Sequence, residues 1–113
     1  MNDGNVQITR DGPDTIVIAP KGDVDMSCSP TLRSALRSEQ ESRPRRLIVD
    51  LSNVGYMDSS GLATLVEAMR TAKRNGTRMI LCGMNDKVRA IFEIARLHQF
   101  FTIVDNLSDA CEG

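Results

Sequence analysis

Two adjacent serines, Ser59 and Ser60, are the residues of this chain whose type and position could support chemistry. They lie in the sequence Asp58-Ser59-Ser60-Gly61, between an apolar run and an amphipathic segment. At a helix start, a side-chain oxygen accepts a hydrogen bond from an unpaired backbone N–H, so Asp58 or Ser59 is the expected N-cap. Those N–H groups and the positive end of the helix dipole also attract anions. The motif therefore predicts either helix capping alone or hydroxyls placed where a phosphate is stabilised.

The motif is positioned by a predicted strand and a predicted helix. Residues 47–49 form an apolar run that is typical of a strand covered on both faces, as in a parallel sheet flanked by helices. After the motif, apolar residues recur at helical spacing: Leu62, Leu65, Val66, Met69 and Ala72. Asn75-Gly76 is a typical helix stop. The serines thus lie at the carboxyl edge of a central strand, where α/β proteins commonly place function.

The rest of the chain predicts a hairpin followed by alternating helices and strands. Residues 5–20 form the hairpin, and further elements are expected at residues 26–39 (helix), 78–82 (strand), 101–104 (strand) and 105–112 (short helix). After the strand over 78–82, Asn85 or Asp86 is expected to cap a third helix, whose inner face carries Val88, Ile91, Phe92 and Ala95. The first helix has Asp25, Ser27 and Ser29 as rival caps. We predict one α/β domain over residues 1–113: an N-terminal β-hairpin joined to a mostly parallel sheet of four or five strands, flanked by about four helices.

Composition excludes several classes of function. Fourteen basic and fifteen acidic residues nearly balance, so no broad basic face indicates a nucleic-acid partner. No apolar run is long enough to span a bilayer and no leader precedes the hairpin, so we expect a cytoplasmic protein without a membrane partner. Three cysteines without close pairing predict neither disulfides nor a zinc site, and Cys82 is expected in the core. We expect no metal and no cofactor.

The stretch LIVDLSNVGYMDSSGLATLVEA, residues 47–68, resembles the signature of the STAS domain in the branch of bacterial anti-sigma factor antagonists. In that family the strand ends at D-L-S and the next helix opens with D-S-S-G. The resemblance extends from the hairpin through Val104. It implies that Ser59 is phosphorylated by a serine kinase that is also an anti-sigma factor, and that a serine phosphatase removes the phosphate. We expect a monomer or weak dimer.

The resemblance also implies a partner-binding surface. Residues 22–25 match the G-x-x-D loop that lies beside the phosphoacceptor in the family, although Asp25 also fits a plain N-cap. We predict that the partner contacts the exposed face of the helix after the motif and six further residues: Asp23, Asp25, Tyr56, Asp58, Ser60 and Gly61. The Ser60 hydroxyl is expected to bind backbone. A phosphate on Ser59 would add about −1.5 to −2 charges and repel the partner without refolding.

Two other classes of function are open to comparison. A phosphoaspartate receiver could use Asp50 as its acceptor, but the acidic pair and the lysine that a receiver needs are missing. A hydrolase would need a base near Ser59, and G-x-S-x-G is absent while His98 is the only histidine. We therefore predict no enzyme and no catalytic residue. A STAS domain that binds a nucleotide or other ligand, or that acts as a sensory scaffold without a sigma-factor partner, stays open as the alternative.

Overall fold

A computed structural model describes residues 5–112 of the chain, in which strands and helices alternate after a hairpin. The strands are β1 (Val6–Arg10), β2 (Thr15–Pro20), β3 (Arg46–Asp50), β4 (Arg78–Cys82) and β5 (Thr102–Val104). The helices are α1 (Ser29–Gln40), α2 (Ser59–Asn75), α3 (Asp86–Ile94) and α4 (Leu107–Glu112). The domain predicted for residues 1–113 extends at both ends beyond the described residues, so its full extent stays a prediction.

The five strands form one sheet in the order β1-β2-β3-β4-β5. β1 pairs with β2 in antiparallel orientation, and β2 to β5 are parallel to one another. The register sets Val49 of β3 between Ile18 of β2 and Leu81 of β4. The predicted hairpin and the mostly parallel sheet are confirmed, and the sheet has five strands.

Helices cover the two faces of the sheet unequally. Leu47, Val49 and Leu81 point to the face on which α1, α2 and α3 pack, and they belong to the larger core. The alternate residues Ile48 and Ile80 point to the other face, where α4, through Ala110, is the one helix of residues 5–112 that packs. Consecutive right-handed crossovers that advance in one direction keep their helices on one side, which explains the asymmetry. Cover on both faces is confirmed, but the second face has a helix of six residues.

Helix α1 begins three residues later than predicted, at Ser29 instead of Met26. The Asp25 carboxylate organises a separate turn before the helix, because it accepts hydrogen bonds from Ser27 N at 2.9 Å and from the Ser27 hydroxyl at 2.5 Å. Cys28 occupies the N-cap position and makes no side-chain cap bond. Asp25 therefore shapes the loop before α1 and is not the N-cap of that helix.

The last third of the chain follows the prediction with small differences at the element ends. Asn85 caps α3 by accepting a hydrogen bond from Val88 N at 2.7 Å. Ala95, predicted on the inner face of that helix, is exposed because α3 has already ended at Ile94. β5 begins one residue later than predicted and α4 begins two residues later. Cys82 is fully buried in the core, as predicted.

Candidate functional site

The serine motif forms the start of α2, directly after an eight-residue loop (residues 51–58) that follows β3. Asp58 is the N-cap: its backbone is extended, and its carboxylate accepts hydrogen bonds from Ser60 N at 2.8 Å and Gly61 N at 3.3 Å. At the other end of α2, Gly76 adopts the left-handed conformation with φ 74°. Of the two predicted caps, the structure selects Asp58, which leaves the Ser59 side chain without a capping role.

The two serine hydroxyls differ in what they contact. The Ser60 hydroxyl donates to the Asp58 carboxylate at 2.6 Å, so the predicted bond to backbone is wrong. The acceptor is a carboxylate because the cap brings that oxygen within reach of the first turn. Ser59 is exposed, and its hydroxyl makes no hydrogen bond to any residue between 5 and 112. Ser59 is therefore the hydroxyl of the pair that an external reagent can reach.

Three backbone hydrogen bonds join the loop of residues 51–58 to the loop of residues 21–28, which follows β2. Gly22 N donates to Asn53 O at 2.9 Å, Val24 N donates to Tyr56 O at 2.9 Å, and Asp58 N donates to Val24 O at 3.1 Å. Val24 and Met57 form an isolated parallel bridge between the two loops. These bonds hold residues 23–25 beside the start of α2.

Gly61 allows this close packing. A Cβ atom at Gly61 would lie 2.6 Å from Met57 Cγ and 2.9 Å from Val24 Cγ1, well inside van der Waals contact. Val24 and Met57 are both fully buried, and Gly61 itself is buried. We therefore assign Gly61 to positioning the start of α2 against the loops and not, as predicted from the sequence, to direct contact with a partner.

Around Ser59 the two loops present a mixed surface, which we call the acceptor face: Asp23, Asp25, Met26, Tyr56, Asp58 and Ser59. Asp23 is exposed, and Tyr56 is 45% exposed. Met26 is 77% exposed, which is unusual for a large apolar side chain. Sequence reasoning missed Met26 because it was assigned to the first helix. The signal was that Ser29 and Pro30, three and four residues later, are not apolar.

The acceptor face is negatively charged. The hydrogen bond from the Ser60 hydroxyl lowers the pKa of Asp58, and the hydrogen bonds from the Ser27 hydroxyl and amide lower the pKa of Asp25. The charge of Asp25 acts on Asp58 in the opposite direction, which shows that the two carboxylates influence each other. Both carboxylates are ionised at neutral pH because each is stabilised in its charged form.

The hydrogen bonds to Asp58 make the start of α2 a poorer anion site than the sequence predicted. Ser60 N and Gly61 N already donate to the Asp58 carboxylate, and Leu62 N donates to Asp58 O. These are the N–H groups that an anion would otherwise use. A phosphate on Ser59 would thus lie beside a carboxylate, without these first-turn donors.

Asp50, the residue that a receiver domain would phosphorylate, contacts the loop that follows β3 and the end of β4. Its carboxylate accepts a hydrogen bond from Ser52 N at 3.1 Å. The Cys82 thiol makes a longer contact with the same carboxylate, at 3.9 Å. Burial, with the neighbouring Asp50 charge, raises the pKa of Cys82 to about 12. Within residues 5–112, no three His, Cys, Asp or Glu side chains are grouped so that they could hold a metal ion.

None of the helices in the described part of the chain combines the length and apolar character of a membrane-spanning segment. The longest, α2, has 17 residues and carries charged side chains along its exposed side.

Comparison with known proteins agrees with this architecture. The anti-sigma-B factor antagonist of Listeria monocytogenes is 30% identical over 99 residues, which cover 88% of this chain and 87% of that protein. Among solved structures, an anti-sigma factor antagonist from Mycobacterium paratuberculosis superposes with a TM-score of 0.86 at 22% identity, over 95% of this chain and 90% of the other. The Bacillus cell fate determinant SpoIIAA in its phosphorylated form gives a TM-score of 0.74 at 20% identity, over 95% and 96%. The STAS domain family matches residues 6–110, and this chain belongs to that family.

Proposed function

We propose that this protein is an anti-sigma factor antagonist whose binding to an anti-sigma factor is switched off by phosphorylation of Ser59. Family membership and the relatives named anti-sigma-B factor antagonists support the class of function. A Bacillus protein of the same fold has been solved in a phosphorylated form, which supports a switch of this kind. In this proposal the unmodified chain binds an anti-sigma factor that is also a serine kinase, and binding releases the sigma factor.

The observation that carries the proposal is the difference between the two serines. The Ser60 hydroxyl donates to Asp58 at 2.6 Å, whereas the Ser59 hydroxyl is exposed and unbonded within the described residues. Phosphorylating Ser60 would break the cap interaction, while phosphorylating Ser59 breaks no hydrogen bond. In the transfer step, Ser59 Oγ bonds to the γ-phosphorus of the kinase's ATP, the bond to the β-phosphate oxygen breaks, and the hydroxyl proton passes to a base of the kinase.

The acceptor face indicates what the partner must present. Its carboxylates would pair with basic side chains around the kinase's catalytic cleft. The exposed Met26 and Tyr56 would pack against apolar side chains of the partner. The exposed side of α2 continues the surface from Ser59. In this arrangement Asp23, Asp25, Asp58 and Ser60 serve the docking rather than the transfer, and no catalytic residue is assigned to this chain.

A phosphate on Ser59 would weaken docking through repulsion. It adds about −1.5 to −2 charges to a face that already holds three carboxylates. Because Asp58 occupies first-turn N–H groups, the phosphate gains less stabilisation from the helix than an open N-terminus would give. The partner's own nucleotide phosphates increase the repulsion. A serine phosphatase would then be required to restore binding, in a switch that works in the cytoplasm on a monomer or weak dimer.

Intact-mass measurement after incubation with the cognate kinase and ATP tests the proposal. We expect one phosphate on the unmodified protein and on the Ser60→Ala variant, and none on the Ser59→Ala variant. Peptide mapping should locate the phosphate on Ser59. Ser59→Ala should still bind the kinase, which separates loss of the acceptor from loss of docking. Phosphate found on Ser60 or on another residue would refute the assignment.

A further inference from the structure

Asn85 is the residue through which the start of α3 contacts the loop of residues 51–58. Its Oδ1 accepts a hydrogen bond from Val88 N at 2.7 Å, which caps α3. Its Nδ2 donates to Val54 O at 3.3 Å and to Gly55 O at 3.4 Å. A carboxamide has one acceptor oxygen and two N–H donors. Asn85 thus uses its oxygen for the helix and its nitrogen for the loop that leads into α2.

This loop has two neighbours that hold its backbone carbonyls. The carbonyls of Asn53 and Tyr56 accept from backbone N–H groups of the loop of residues 21–28. The carbonyls of the two residues between them accept from the Asn85 side chain. Four consecutive carbonyls therefore have a partner outside the loop, and Ser59 begins α2 three residues after the last of them.

The part of the loop that Asn85 contacts includes exposed backbone between two buried side chains. Val54 and Met57 are buried, whereas Gly55 and Tyr56 between them are exposed. These two exposed residues belong to neither a strand nor a helix. Exposed backbone outside regular structure opens locally at a low cost in free energy. The hydrogen bonds from Asn85 therefore act where the loop would otherwise open.

We propose that Asn85 is a positioning residue for the acceptor face: its two N–H groups hold Val54 and Gly55 so that Ser59 is presented to the kinase in one orientation. This role rests on the proposed phosphorylation of Ser59. Asn85 acts through the loop, and the helix cap by itself needs only the side-chain oxygen. A displacement of about 1 Å in a reacting group can lower the rate of transfer by about a hundredfold.

The variant Asn85→Ser separates the two functions of the side chain. A serine hydroxyl caps a helix about as well as a carboxamide does, but it is too short to replace the two donors to the loop. Asn106→Ser is the matched control, because Asn106 accepts a hydrogen bond from Asp109 N at 2.8 Å at the start of α4 in the same way. Helix α4 packs on the other face of the sheet from α2 and α3.

Amide hydrogen exchange in the full chain tests the positioning without the kinase. In Asn85→Ser, exchange at the Val24 and Asp58 amides, which bond across the two loops, should be faster by at least about threefold. Exchange at Val88 should stay unchanged because the cap is kept. Unchanged exchange at Val24 and Asp58, or the same acceleration in Asn106→Ser, would overturn the proposal. So would an equal acceleration throughout β3 and β4, which would assign Asn85 to global stability.

Phosphorylation kinetics with the cognate kinase and ATP test the consequence for Ser59. Asn85→Ser should lower kcat by at least about fivefold and leave KM within about twofold, because a bound but misplaced hydroxyl slows the transfer. A partly unfolded variant would instead act as a lower concentration of substrate, which raises the apparent KM and leaves kcat unchanged. Either that result or unchanged kinetics would overturn the positioning role. Absence of phosphate on Ser59 in the unmodified protein would defeat the proposed function instead, and hydrogen exchange would still decide the role of Asn85.

Discussion

The two edges of the sheet are built in different ways. At the acceptor face, two loops that follow β2 and β3 are joined by backbone hydrogen bonds, and each ordered carboxylate is matched by a neighbouring hydroxyl: Asp58 by Ser60, and Asp25 by Ser27. At the opposite edge, where β2, β3 and β4 begin, the strand register places Arg46 of β3 beside Arg78 of β4. Within the described residues, the acceptor face therefore leaves the Ser59 hydroxyl without a hydrogen bond, beside two carboxylates that are already bonded. At the opposite edge, the backbone positions of the basic side chains are set by the pairing of the strands.

This difference teaches why a switch belongs at the edge where the strands end and not at the edge where they begin. Parallel strands direct all their carboxyl ends to one edge, where the longer loops can present side chains to a partner. A single phosphate added there does not reverse the charge of the surface; it makes an already acidic surface more acidic. At the strand-start edge, in contrast, strand pairing fixes the backbone positions of the charged residues Arg46 and Arg78.

The largest expected effect is on the affinity for the anti-sigma factor kinase, which should respond to a change at one edge and not at the other. Ser59→Asp should weaken binding of the anti-sigma factor kinase by at least about tenfold, because it adds a charge to the acidic acceptor face. Arg45→Gln/Arg78→Gln should leave that affinity within about twofold, since these residues lie at the other edge, where β3 and β4 begin. Surface-immobilised kinase and both variants in solution provide the measurement. Equal weakening by both variants would mean that the two edges form one binding surface.

Two glycines, Gly61 in the first turn of α2 and Gly76 directly after its end, give the next comparison. Gly61→Ala places a Cβ 2.6 Å from Met57 Cγ, so we expect a loss of about 1–3 kcal/mol in the free energy of unfolding together with slower phosphorylation. Gly76→Ala meets open space but keeps φ at 74°, which costs an alanine roughly 1–2 kcal/mol. Denaturant unfolding measures both. Phosphorylation should be unchanged in Gly76→Ala, and slowed phosphorylation there would indicate that global stability, not the packing of the loops, controls the acceptor.

A matched pair of acidic residues tests the electrostatics of each edge. Asp25→Asn should slow association with the kinase roughly severalfold and reduce the salt dependence of the association rate. The reason is that charges at the rim of an interface mainly affect the rate at which the two proteins meet. Asp14→Asn makes the same charge change at the strand-start edge, directly before β2, and should leave the association rate unchanged. Stopped-flow kinetics at several salt concentrations give both values. If Asp14→Asn had the larger effect, the docking surface would have to be moved to the strand-start edge.

The smallest effect concerns the pKa of Asp58. Ser60→Ala removes the largest cause of its lowered pKa, so the pKa of Asp58 should rise toward the ordinary carboxyl value of about 3.9, whereas Ser59→Ala should leave it unchanged. Because the folded-state pKa is lowered, Asp58 contributes stability that is complete above the unfolded value and is lost as pH falls through the folded value. Carboxyl NMR shifts measure the pKa. An equal rise in both variants would contradict the assigned hydrogen bond.

Much of the fold was predictable because the spacing of apolar residues in a helix or strand is a local property of the sequence. The alternating faces of residues 47–49, the stripe from Leu62 to Ala72 and the Asn75-Gly76 stop predicted β3 and α2 closely. The start of α1 was predicted three residues too early, because Asp25, Ser27 and Ser29 are all good caps and the sequence does not state which one the loop uses. The bonds from Ser27 to Asp25 made that choice.

The sequence by itself determined that this chain is a small α/β domain with Ser59 and Ser60 at the start of its central helix. It also placed a family signature around them, because the cap, the strand and the helix stripe are all local features. Only the structure decided which serine is left unbonded, because Asp58, whose N–H donates to Val24 O of the neighbouring loop, is the cap and accepts from the Ser60 hydroxyl. Only the tertiary structure brought Arg45, Arg46 and Arg78 together, because strand register joins residues that lie more than thirty positions apart in the chain.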